Sequence, residues 1–238
     1  MRSILLLALV LTLTSCIEGD EELWLNRNGS GRIEATYRMP PAIMNRFGGA
    51  AKLQQRLEDA IKNEPSIRIQ EISNHIDGAQ VVFTLKAEFD DARSFISLPK
   101  KHLRDPNKPD KPSAEESFFG KMDLRLNGLT LKFDRNVDLS SILPAAVQDN
   151  AAMLGNSSFN YILHLPAKSS THNATSVSDN GTTLNWSFKL KDHVSTPMVL
   201  HTSLLLPLPW WAWSLSTIVI LLLAFGIFRL IISMRRKT

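Results

Sequence analysis

Six histidines, one cysteine and adjacent acidic residues such as Asp90-Asp91 and Glu115-Glu116 are the residues of this 238-residue chain whose types could do chemistry. A zinc centre needs His, Cys or carboxylate ligands at short, fixed spacing, and a covalent catalyst needs a nucleophile beside a base. His75, His102, His164, His172, His193 and His201 form no HExxH and no i, i+4 pair. The chain also carries no GxSxG, no Walker loop and no GxGxxG. Asn28-Gly29-Ser30-Gly31 lies between two alternating runs and reads as a hairpin turn rather than a phosphate loop. Neighbours along a strand or helix point apart, so neither Asp90-Asp91 nor Glu115-Glu116 is a ready carboxylate pair. The sequence therefore predicts no catalytic residue, no metal ligand and no cofactor, and reads as a non-enzyme.

The cysteine has a different context. Residues 1–15 hold one Arg, an apolar run and then small residues, the pattern of an export signal peptide. Leu13-Thr14-Ser15-Cys16 resembles the lipobox of bacterial lipoproteins, which implies removal of residues 1–15 and acylation (diacylglycerol, palmitate) of Cys16; an ordinary signal peptide is the alternative. With Cys16 as the only cysteine, no internal disulfide is possible and the core must hold the fold.

The opposite end is apolar too. Residues 208–228 carry no charge, and as a helix they would span roughly 31 Å, a bilayer core. Trp210, Trp211 and Trp213 would form an interfacial belt at one end. Arg235, Arg236 and Lys237 follow the other as a positive-inside signal. The reading is a transmembrane helix over 208–230, a cytoplasmic basic tail over 231–238, and an extracytoplasmic domain over 16–207. The whole would sit in the bacterial cytoplasmic membrane, with both ends of the domain expected on its membrane-facing side.

Charge is consistent with this division. The net charge is +4, but residues 17–208 hold 22 basic and 23 acidic side chains, a net of −1. The basic balance thus belongs to the ends and not to a folded nucleic-acid footprint. Five Asn-x-Ser/Thr triplets would suit a eukaryotic glycoprotein, yet three fall at or beside tight turns, where those residues are expected anyway. The bacterial reading is preferred.

Between the ends the pattern alternates with period two, as half-buried antiparallel strands do. Ile33, Ala35, Tyr37 and Met39 form one apolar set, Val81, Phe83, Leu85, Ala87 and Phe89 another, and Leu184, Trp186, Phe188 and Leu190 a third. Asn-Gly or Asp-Gly at residues 28, 77, 127 and 180 predicts tight hairpins. Ile43, Phe47, Leu53, Leu57 and Ile61 recur at helical spacing after Pro41, with Gly48-Gly49 able to bend or break the helix. Shorter helices are expected after Asp90, as cap, and within 140–154. The expected fold is α+β: a curved antiparallel sheet of about nine strands packed on one main helix, plus the C-terminal membrane helix. One helix cannot cover such a sheet, so the sheet must curl around it or pair with a second sheet, and the interior is either packed or hollow for an apolar ligand. Residues 99–120 read as a flexible basic loop, held solvated by its interrupting acidic residues.

The domain resembles the LppM-like (DUF3153-type) family of bacterial membrane lipoproteins. The resemblance lies in three places. One is Cys16-Ile17-Glu18 leading into the strand-turn-strand from Leu25 through Asn28-Gly29 to Ile33. The others are Leu163-His164-Leu165-Pro166, and the hairpin from Asn173-Ala174 through Asp179-Asn180-Gly181 to Leu184-Asn185-Trp186. It implies an exported lipoprotein with an α+β domain and, for some members, envelope lipid binding; residues 99–120 look like an insertion. Cys16 is the one functional residue carried over.

The functional expectation is a cell-envelope lipoprotein whose domain binds a lipid-like or apolar ligand, or a partner, at the membrane surface. A scaffold for a membrane-protein complex is the alternative, its apolar C-terminal helix packing on another; an envelope hydrolase ranks third. The partners expected are the membrane, through Cys16 and residues 208–230, and a lipid or membrane protein; nucleic acid is not.

Overall fold

A computed structural model describes residues 16–103, 113–140 and 142–207, together with Thr217 and Ile220. Eleven strands form two sheets. In chain order they are β1 (Glu18–Leu25), β2 (Gly31–Met39), β3 (Ile67–Asp77), β4 (Gln80–Phe89), β5 (Lys121–Asn127), β6 (Thr130–Val137), β7 (Ser158–His164), β8 (Ser169–His172), β9 (Ser176–Ser178), β10 (Thr183–Lys189) and β11 (Met198–Leu205). Five α-helices accompany them: α1 (Pro41–Met44), α2 (Ala50–Lys62), α3 (Ala92–His102), α4 (Ala114–Phe119) and α5 (Ala145–Asp149).

The first sheet has the order β3-β4-β2-β1-β7-β10-β9, the second β5-β6-β11-β8. The four Gly-containing turns each close a local hairpin, joining β1 to β2, β3 to β4, β5 to β6 and β9 to β10. Gly29, Gly78, Gly128 and Gly181 all have positive φ, which a Cβ would oppose. The expected single nine-stranded sheet on one helix is therefore corrected. Period two shows which strands are half-buried, but it does not say which strands share a ladder.

Two layers cover the inner face of the seven-stranded sheet. The four-stranded sheet packs over the β1-β7-β10 half, with Phe133 and Tyr161 rings stacked at 6.3 Å and Trp186 against Tyr161 at 6.0 Å. Helices cover the β2-β4-β3 half, where Phe95 of α3 stacks on Phe89 at 4.9 Å and Phe118 of α4 meets Tyr37 at 4.7 Å. Leu53, Leu57, Ala60 and Ile61 form the buried stripe of α2. Of the two coverings open to the sheet, pairing with a second sheet is realised, and helices complete it.

The expected main helix is broken. Gly48 and Gly49, at φ 80° and 94°, separate α1 and a 3-10 turn (Asn45–Phe47) from α2. The cap of α3 is Asp91, whose carboxylate accepts from the Arg93 amide, not Asp90, which instead pairs with Arg68 at 2.8 and 3.0 Å. The flexible reading of 99–120 is also corrected at both ends. Helix α3 runs through Pro99 to His102, and Ser113 caps α4, whose Glu115 is buried beside Arg56. Apolar residues anchor these pieces: Leu98, Leu103 and Phe118 dock on the sheet, which charge and proline content did not reveal. Residues 104–112 lie outside the described residues, as do the signal peptide over 1–15 and most of the C-terminal run over 208–238. No helix among the described residues is long and apolar enough to cross a membrane.

One further expectation is overturned. Strand β1 starts beside β7, with Glu18 opposite Ser158, and ends with Trp24 opposite His164. Strand β11 starts with Met198 opposite Val137 and ends with Leu205 opposite Thr130, its Leu204 lying beside Ser169, which follows the end of β7. Met198 and Val137 line one void together with Ile17, Gly19 and Phe159 at the start of β1, while Arg135, opposite Leu200, meets Glu21 further along, so β11 advances in the same direction as β1. Cys16 and Leu205 thus leave the domain at opposite ends of its strands, not at one membrane-facing end.

Candidate functional site

Cys16 is held by its backbone. Its carbonyl accepts from the Gln80 side-chain amide at 2.6 Å, and the next residue, Ile17, donates its N–H to Ser157 Oγ at 2.8 Å. The Ser158 N–H donates to the Ile17 carbonyl at 2.9 Å, so the sheet begins two residues after the cysteine with no slack. Cys16 is partly exposed and unpaired as a thiol.

The interior decides whether this domain can hold an apolar ligand. Two voids lie within it, each of about 30 Å³. One is bounded by Ala35, Leu57, Leu85, Phe95 and Tyr161, the other by Ile43, Phe118, Ile142 and Phe159. Each has room for a single water, against the roughly 300–1,000 Å³ of a ligand pocket. The interior between the sheets is packed rather than hollow.

A charged link crosses that interior. Glu21 of β1 and Arg135 of β6 are both buried and form a two-pronged ion pair, Nη2 donating to Oε1 at 2.9 Å and Nη1 to Oε2. Tyr37 Oη donates to the same Oε1 at 2.6 Å, and Arg135 Nε donates to the Phe119 carbonyl at 3.0 Å. The guanidinium lies 5.0 and 5.5 Å from the ring centres of Tyr161 and Phe159. Burial pushes the Tyr37 hydroxyl well above the ordinary tyrosine range, with the Glu21 charge adding to it. Burial would by itself lower Arg135, but the Glu21 charge and its hydrogen bonds outweigh that and hold the guanidinium above its ordinary value. This pair clamps the two sheets together. A sequence signal for it exists: Glu21 falls in the inward phase of Leu23 and Leu25, and Arg135 in that of Phe133 and Val137.

The solvent face of the larger sheet brings together groups that the sequence scatters. His164 Nε2 lies 2.6 Å from Glu22 Oε1, and Nδ1 lies 3.0 Å from Thr183 Oγ1. The imidazole stacks on Trp24 at 4.9 Å, whose other face carries Arg32 at 3.9 Å. Hydroxyl, imidazole and carboxylate in this order match the logic of a nucleophilic triad. The β7 backbone and residues 183–185 of β10, however, are paired on both sides, so their amides are committed to ladders and are not free as oxyanion donors to Thr183. Both ring faces of Trp24 are occupied as well. Parallel pairing of β1 with β7 creates this cluster, and no local pattern predicts that pairing.

Of the other histidines, His201 pairs with Asp134 at 2.6 Å and His102 with Glu64 at 3.2 Å. Among the described residues no group of three or more His, Cys, Asp or Glu side chains could hold a metal ion. Asp90 and Asp91 separate as expected, Asp90 facing Arg68 while Asp91 caps α3; Glu115 turns inward to Arg56.

No protein-family model matches the sequence, and no curated protein matches it. Among solved structures the chain is similar to the folded domain of the Mycobacterium tuberculosis LppM protein, determined by NMR. The two are 11% identical, with a TM-score of 0.44, over 82% of this chain and 92% of that one.

Proposed function

We propose that this chain is a cell-envelope lipoprotein, exported, acylated at Cys16, and further held in the cytoplasmic membrane by residues 208–230, with its α+β domain on the extracytoplasmic side. The domain works there as a non-enzymatic binding module at the membrane surface. The seating of the cysteine carries this reading. Lipobox cleavage would leave Cys16 as the first residue, and its carbonyl is held by Gln80 while the Ile17 N–H is held by Ser157 at the start of β1. Acylation would then place lipid directly against a sheet with no linker between.

The packed interior moves any recognition of lipid or partner to the outside. It also favours, as a second reading, the scaffold in which the domain's surface contacts a membrane-protein partner. The chemistry at His164 lacks anion-stabilising amides, which is why the hydrolase reading stands behind both.

Mass spectrometry of the protein extracted from bacterial membranes tests the proposal. The N-terminal peptide should begin at Cys16 and carry a diacylglyceryl group, absent when Cys16→Ala is expressed. An N-terminal peptide that includes residues before Cys16, or an unmodified Cys16, would defeat it.

A further inference from the structure

Three exposed aliphatic side chains gather at one end of the four-stranded sheet: Leu126 (61% exposed), Leu129 (43%) and Leu205 (61%). Leu126 belongs to the inward row Leu126, Leu131, Leu204. Leu204 is fully buried, but the row emerges into solvent toward the β5-β6 hairpin. Leu205 lies opposite Thr130 one step further out, on the other face of the sheet from Leu204, and Leu129 is in the turn itself. One row inward Arg125 faces Lys132 directly, both exposed. Like charges directly opposed across a hairpin repel, and among the described residues Arg125 is answered by Asp123 at 2.6 Å on its own strand. Exposed leucines rimmed by cations are costly in water and suited to a bilayer interface, where apolar groups bury and each cation near anionic headgroups contributes about 1 kcal/mol.

Chain length places that tip close to such an interface. Residue 208, where the charge-free run begins, follows Leu205 by three residues, which reach at most about 11 Å. At the far end of the strands, Cys16 sits at least 23 Å away, estimated from seven steps along β1 at ~3.3 Å each. The hydrogen bonds of Cys16 and Ile17 leave it no tether to pay out. A domain standing upright on its Leu205 end would lift an acylated Cys16 out of the bilayer. Beside Cys16, moreover, Ile76 projects from the β3-β4 hairpin at 76% exposure, next to the turn from which Gln80 reaches the Cys16 carbonyl.

We propose that the domain lies with its strands along the membrane, inserting the β5-β6 tip (Leu126, Leu129) and Leu205 into the interface at one end and Ile76 beside Cys16 at the other. This rests on the double tethering proposed above. It makes the β3 and β5 edges the membrane-facing flank and leaves β9, the opposite edge of the larger sheet, toward water.

The test uses full-length protein reconstituted in vesicles of phosphatidylcholine and phosphatidylglycerol, with an environment-sensitive thiol label at Leu126→Cys, Ile76→Cys or Ser176→Cys, the last on β9. All three are exposed, so the substitutions leave packing intact. The labels at 126 and 76 should emit further to the blue and be quenched several-fold more by lipid-borne bromine than the label at 176. If either is quenched by aqueous iodide as readily as the label at 176, the lying arrangement is wrong. Wild-type protein monitors the tether: an acylated Cys16 takes no label and the protein resists alkaline carbonate. Labelling of Cys16 or release by carbonate would sink the tethering and this inference together, whereas aqueous labels on a resistant, unlabelled protein would overturn the inference alone.

Discussion

Arg135 shows how much rests on one side chain. A buried ion pair is weak evidence of net stability, because two desolvated charges must be repaid by their mutual attraction, yet removing one partner strands the other. Arg135→Met leaves the Glu21 carboxylate buried with only the Tyr37 hydroxyl, and is expected to cost about 3–5 kcal/mol in denaturant unfolding of the detergent-solubilised protein. Tyr37→Phe, which removes one donor and keeps the pair, should cost about 1–2 kcal/mol. The double variant Glu21→Leu with Arg135→Met should recover most of the single-variant loss, since the surrounding Phe159, Tyr161 and Tyr37 can pack on aliphatic chains. A double variant as unstable as the single one would show that the polar link specifies the sheet pairing rather than merely filling it.

Between elements, the tie from the α2-β3 turn to the end of α3 is electrostatic. Glu64 accepts from Lys101 at 2.9 Å and faces His102 at 3.2 Å. The Lys101 hydrogen bond, then that of His102, holds the Glu64 carboxyl below the usual glutamate range. A carboxyl lowered by folding contributes stability that is complete above its unfolded value and is lost as pH falls through the lower folded one. Thermal unfolding of wild type against Glu64→Gln should therefore show a constant gap near neutral pH, closing only as pH drops below the ordinary glutamate range. A gap that persists at strongly acid pH would assign the stabilisation to packing of the side chain instead. At this scale the sequence was partly legible. The four Gly turns and the break at Gly48-Gly49 follow from local φ requirements, whereas the helices flanking 104–112 form because Leu98, Leu103 and Phe118 find a distant sheet to dock on. Likewise Asp91 rather than Asp90 caps α3 because Arg68 on β3 claims its neighbour.

For the whole molecule, the two tethers proposed above predict a specific retention pattern. A chain exported behind an ordinary cleavable signal peptide in place of residues 1–16, and a chain ended after residue 207, should each stay with the membrane fraction after carbonate washing, while the combination should appear in the soluble fraction. If replacing residues 1–16 alone releases the protein, residues 208–230 do not span, and the acyl chains hold it unaided.

Local information reached a definite limit here. Apolar phase, turn residues and Gly-Gly breaks determined which strands are half-buried, where four hairpins turn and where the long helix divides, because each depends on the φ preference or side-chain direction of residues adjacent in the chain. The cysteine in its small-residue context and the uncharged C-terminal run likewise stood in the sequence alone. What only the tertiary structure decided is everything that depends on residues far apart meeting: the division into sheets of seven and four strands, the parallel pairing of β1 with β7 that joins Glu22 to His164, the Glu21–Arg135 clamp, the filled interior, and the exit of Cys16 and Leu205 at opposite ends. Strand pairing is chosen by which apolar faces fit against one another, a property of the assembled layers that no single strand's alternation contains.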